Sequence, residues 1–128
     1  MCATAMGQQE DRDMNFRISN YAMQNVEEMV CGCVSKQMRL SGRSPVAVEE
    51  LYQGKKNVPL GRSIARNIVF DILHNKYGFS YAVIAQRACM GLTSVMRCVR
   101  RCAQMRRIDK VYIGVYSIVE RKLNEIYG

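Results

Sequence analysis

The sequence predicts an all-α protein, a helix-turn-helix bundle of about five to six helices, on three observations. Apolar residues recur at helical spacing through most of the chain. Two segments of loop composition, SGRSP at Ser41–Pro45 and GKKNVPLG at Gly54–Gly61, divide that pattern into pieces of helix length. From Ala65 to Met105 an amphipathic stretch runs into a basic one, the pattern of a core helix followed by a helix-turn-helix. With 128 residues, 48% of them apolar, one domain around one core is expected.

Residues 1–14 are polar and unpatterned and are expected to form a disordered N-terminal arm. The main domain is assigned to residues 15–107. From about Ser19 the residues Ala22, Val26, Val30, Cys33, Val34 and Met38 follow a helical stripe, with Asn20 or Ser19 as cap and an end near Leu40. Val46 to Tyr52 reads as a short helix with Val48, Leu51 and Tyr52 inward. The next loop carries Lys55 and Lys56; such lysines are usually only solvated, but a flexible basic loop can also clamp phosphates. Arg62 to Tyr77 sets Ile64, Ile68, Ile72, Val69 and Leu73 on one face, with Arg66 and Asn67 on another. Gly78 suits a left-handed helix end. His74, the only histidine, falls late in this helix, where a solvent-facing or dipole-pairing role is expected.

Ser80 can cap the helix SYAVIAQR, in which Val83 and Ile84 turn to the core and the small Ala85 permits a close crossing. Ala88 to Gly91 makes the turn. The second helix, about 92–104, directs Val95, Val99 and Cys102 inward and Thr93, Ser94, Arg97, Arg100 and Arg101 outward. Asp109 then caps a last helix carrying Val111, Tyr112, Val115, Ile118, Val119, Leu123 and Ile126 at helical spacing. This 108–128 segment packs on the same domain, forms a homodimer seam or docks a protein partner; the sequence leaves the three open.

The net charge of +8 suits a polyanionic partner, whether nucleic acid, an acidic membrane surface or an acidic protein. Its distribution is more telling. Before residue 46 five lysines and arginines balance five acids, whereas from there on 14 face 6, so the whole excess falls with the helix-turn-helix. No signal-like leader or apolar run of about 20 residues is present in the sequence, so a cytoplasmic protein without a membrane partner is expected. The six cysteines are read as reduced, small buried hydrophobes. Cys31 with Cys33 and Cys98 with Cys102 form close pairs that could hold zinc if their helices met. Cys-x-Cys is not the usual knuckle spacing, however, and neither a metal nor another cofactor is expected. With one histidine and no acid-base cluster, catalysis finds no support.

Double-stranded DNA is therefore the expected partner. In a helix-turn-helix the start of the second helix enters the major groove, where short hydroxyls approach base edges and arginines reach guanine or backbone. The candidate DNA-binding residues are Lys55, Lys56, Arg62, Arg66, Thr93, Ser94, Arg97, Arg100 and Arg101. The competing reading is a protein-interaction module that keeps the fold without specific readout; a hairpin with a merely solvated basic face is the plainest alternative.

From about Asn25 to Met105 the order of parts resembles the C-terminal DNA-binding domain of the bacterial replication initiator DnaA, in the Trp-repressor-like group. VAVEELYQGKK resembles its short helix and basic loop, ARN at Ala65–Asn67 its Ala-Arg-Gln helix start, and GFSYAVIA its Gly-Leu-Ser-x-x-x-Ile-Gly. TSVMRCVRR is similar to its Thr-Thr-Val-x-x-Ala-x-Arg-Lys. The resemblance implies Arg66 in the minor groove, Lys55 and Lys56 on the backbone, Thr93 and Ser94 at the start of the recognition helix, and Arg100 and Arg101 as its basic pair. It also implies a role in replication or transcription. Where the family has Asp-His before the paired threonines, this chain has Gly91 and Leu92, its turn is shorter by a residue, and it carries no Walker-type Gly-Lys-Ser/Thr loop. The resemblance thus does not extend to the family's standard DNA box or to its nucleotide-driven part.

Overall fold

The structure, a computed structural model, describes residues 2–54 and 56–127, with side chains from Ser19 to Ile126 apart from Lys55. Among the described residues there are five α-helices and no strand: α1 (Cys2–Leu40), α2 (Leu60–Asp71), α3 (Tyr81–Ala88), α4 (Leu92–Met105) and α5 (Lys110–Tyr127). The expected all-α class is observed. A 3-10 turn at Val48–Glu50 separates α1 from α2, and α2 runs on into a π turn at Ile72–Lys76. No described helix is long and apolar enough to cross a membrane.

The bundle is built around α2. Every residue from Ile64 to Leu73 is buried, so this helix is enclosed on all sides and not along a single stripe. It packs against α4, α1 and α5. At its first turn Gly61 permits a close approach to the end of α1, since a Cβ there would lie 2.9 Å from Val46 Cγ2 and 3.0 Å from Met38 Cγ. The α1 side of the core comes from Val26, Val30, Val34 and Met38, each four residues from the last and therefore stacked on one face. From α5 come Tyr112, Val115, Val119 and Leu123, which lay that helix along α1.

Polar groups that enter the core are paired. Glu27 on α1 accepts both Nε and Nη2 of Arg87 at 2.7 Å, and takes the Tyr52 hydroxyl as well. Arg87 also donates to Asn20, which ties α3 to two turns of α1. Tyr52 in turn stacks on Phe70 of α2 at 5.7 Å between ring centroids.

Several expectations are corrected. α1 does not begin at Ser19 or Asn20 but runs continuously through them; the arm expected over residues 1–14 falls where side chains lie outside the described residues. The short helix expected over Val46–Tyr52 is only the 3-10 turn, although Leu51 is fully buried as anticipated. Val83, assigned to the core, is 41% exposed, because the short α3 faces α4 through Ile84, Ala85 and Ala88 instead. Ile126 is likewise exposed, one turn past the last buried residue of α5, Leu123. Arg66 and Asn67 are buried, for lack of any open face on α2.

Removing Arg87 leaves the Glu27 carboxylate buried without its cation, which costs roughly 3 kcal/mol or more. Urea denaturation of Arg87→Leu should record a loss of that size, and adding Glu27→Gln should recover part of it.

Candidate nucleic-acid interface

Local chemistry sets the segment that runs from the π turn through α3 to α4. The π turn closes on Gly78, whose φ of 74° is the left-handed corner that only glycine takes without strain, with its N–H on His74 O at 3.1 Å. His74 is half-buried, its Nδ1 2.8 Å from Phe79 O and its ring stacked on Tyr81, which is a structural role. Ser80 caps α3 as expected, its hydroxyl accepting the Val83 N–H at 3.2 Å. The turn is made by Cys89, Met90 and Gly91; Cys89 takes φ 53°, a left-handed conformation uncommon for a residue with a Cβ. Gly91 opens α4 in extended conformation with no side-chain cap.

α4 divides sharply into two faces. Val95, Val99 and Cys102 are buried against α2, whereas Thr93, Arg97, Arg100 and Arg101 are exposed and Ser94 is half-buried. Among the described residues, the ion pairs are Arg62 with Glu50, Arg87 with Glu27 and Arg106 with Asp71. Arg97, Arg100 and Arg101 belong to none of them. The sequence did not single out two apolar members of this outer face, Leu92 at 49% and Met96 at 37% exposure. With Val95 and Val99 they complete an i, i+3, i+4, i+7 apolar pattern, so the sequence carried no signal that they would stand outside the core.

The arginines assigned to the grooves from α2 stand differently. Arg66 is only 6% exposed, with Nε on Leu51 O at 2.6 Å and Nη2 shared between Gln53 O and Gly54 O. Arg62 gives Nη1 to Gln53 O at 3.0 Å and pairs with Glu50 at 3.2 Å. Both guanidiniums, expected from the sequence to face DNA, are bonded to the segment that precedes α2. The physical reason is the segment 51–54, whose carbonyls turn inward over α2 and need donors. Burial, with Arg62 nearby, lowers the pKa of Arg66. Lys56 at the head of this braced loop is exposed, and Lys55 lies outside the described residues. A cavity of about 300 Å³ lined by Tyr52, Gly54, Arg66, Gly91 and Ser94 joins the loop base to the start of α4.

The thiols do not assemble. Among the described residues no group of three or more His, Cys, Asp or Glu side chains could hold a metal ion, so the two cysteine pairs do not meet. Burial, aided by Glu27 and Glu49, pushes the Cys31 thiol up to about 12, and burial also raises Cys102 and Cys98. No family model, curated protein or solved structure matches the chain.

Arg66→Ala should cost roughly 2 kcal/mol in urea denaturation by stranding the carbonyls of residues 51 and 54, while that of residue 53 keeps Arg62. A thiol reagent at pH 8, followed by mass spectrometry, should modify exposed Cys89 in the folded protein and reach Cys31 and Cys102 only on unfolding. Because the Cys31 pKa is raised by folding from 9.0, its contribution is intact below pH 9 and is lost as pH rises towards 12, so the urea midpoint should fall over that range.

Proposed function

We propose that this protein binds double-stranded DNA through α3 and α4, with α4 as the recognition helix, and acts by binding and not by chemistry. The observation that carries the reading is the outer face of α4, where Arg97, Arg100 and Arg101 stand exposed outside the ion pairs while four other arginines are spent inside the fold. Cations without carboxylate partners are available to phosphates. On this reading Arg100, Arg101 and Lys56 anchor the backbone, and Thr93, Ser94 and Arg97 at the leading end of α4 meet base edges. Arg62 and Arg66 act one step removed, by bracing the loop that carries Lys56.

The finer reading is a stand-alone counterpart of the DNA-binding domain of DnaA-type initiators, a cytoplasmic, bacterial protein serving replication or transcription. What supports it is the order of helix, basic loop, core helix and helix-turn-helix. The alternative is a protein-interaction module that keeps the fold without specific readout and takes the exposed pair Leu92 and Met96 as its contact.

Fluorescence anisotropy with random-sequence duplex and an equal-length single strand, at several salt concentrations, separates the two. A working reader prefers duplex and loses affinity steeply with salt, by about 0.9 in log–log slope for each phosphate neutralised. Arg100→Ala or Arg101→Ala should weaken all duplexes about equally and reduce the slope by about one, whereas Thr93→Ala should change sequence preference. No duplex binding even at low salt overturns the proposal in favour of the interaction module.

A further inference from the structure

The apolar pair on α4 has no part in the core. Leu92 and Met96 lie four residues apart, one above the other at the leading end of the helix, in the row that Arg100 continues along the edge of the exposed face. The core-facing positions Val95, Val99 and Cys102 are occupied independently. The approach is open as well, since a Cβ added at Gly91 would meet only Ser94 Oγ at 3.8 Å. We infer that Leu92 and Met96 read thymine methyl groups in the major groove and so make the protein's sequence preference depend on thymine. The inference rests on the duplex-binding reading above and assigns it two specificity-determining residues.

Charge selects the occupant of this surface. A purely apolar partner would leave the neighbouring arginines Arg97 and Arg100 desolvated without counter-charge, whereas a DNA groove supplies phosphates at its rims and apolar groups on its floor. The 5-methyl of thymine is the apolar group that the major-groove edges present, so it is the natural contact for a leucine and a methionine held there. The spacing agrees. Four residues of helix rise about 6 Å, and two base steps rise roughly 6.8 Å, so with α4 inclined along the groove the pair reaches thymines about two steps apart.

The test removes the methyl without altering base pairing. Duplexes enriched by the full-length protein from a random-core pool are resynthesised with deoxyuridine replacing each thymidine in turn, and affinities are measured by anisotropy. Wild-type protein should lose about three- to fourfold in affinity for each contacted methyl removed. Leu92→Ala and Met96→Ala should bind the thymine duplex more weakly by a similar factor and become indifferent to deoxyuridine at their own positions. Both residues are surface-exposed, and circular dichroism melts of the variants verify that they fold. Enriched duplexes insensitive to deoxyuridine, or no enrichment while duplex binding persists, overturn the methyl readout and leave the DNA-binding proposal standing. Absence of any duplex binding removes both and turns the apolar pair into a protein contact.

Discussion

The burial of α2 on every side is the constraint on which the remaining structure depends. An enclosed helix can keep polar side chains only if each finds a partner, and α2 carries three of them, Arg66, Asn67 and Asp71. Each reaches a different neighbour. Arg66 holds the carbonyls of segment 51–54, Asn67 donates to the Tyr112 hydroxyl of α5 at 2.9 Å, and Asp71 takes Arg106 beyond α4 at 3.4 Å along with Asn75 of the π turn. Arg106 also lies 3.4 Å from the centroid of the Tyr116 ring, so the same contact fixes the junction of α4 and α5. The hydrophobic core brings the helices together, and these three side chains restrict which way each one faces.

A division of labour among the cations follows. Arg62, Arg66, Arg87 and Arg106 serve the fold, and their charge is largely cancelled or bonded within it. The arginines Arg97, Arg100 and Arg101 on α4 and Lys56 are exposed outside those pairs, as are Lys36, Arg39 and Arg43 near the end of α1, Arg107 just before α5, and Lys110, Arg121 and Lys122 along it.

Features set by local chemistry were legible in the sequence. Ser80 and Asp109 cap their helices as their types predict, Asp109 Oδ1 accepting the N–H groups of Val111 and Tyr112, and Gly78 ends its helix in the left-handed region. The two faces of α4 were also readable, because alternation at helical spacing is a property of the segment itself. What escaped was anything decided by a distant segment. The fate of Arg66 depends on residues 51–54 folding over it, 12 to 15 positions away in the chain, and the pairing of Glu27 with Arg87 spans 60. Val83 misled for a related reason: an eight-residue helix that touches its neighbours along one narrow edge leaves an apolar residue outside. Arg66 was matched to a family pattern by residue type, and its burial is a property of this chain's loop.

The π turn at Ile72–Lys76, marked by the Tyr77 N–H on Ile72 O at 3.3 Å, has a bearing on the angular setting of the two helices beyond it. A π turn amounts to an α-helix holding one surplus residue. Since each helical residue turns the chain by about 100°, that surplus fixes the azimuth at which α3 and α4 leave the core. The orientation of the arginine-bearing face relative to α2 is thus encoded in a residue count, and a one-residue change in length between Asp71 and Gly78 would re-aim it while leaving every side chain of α4 in its own sequence context.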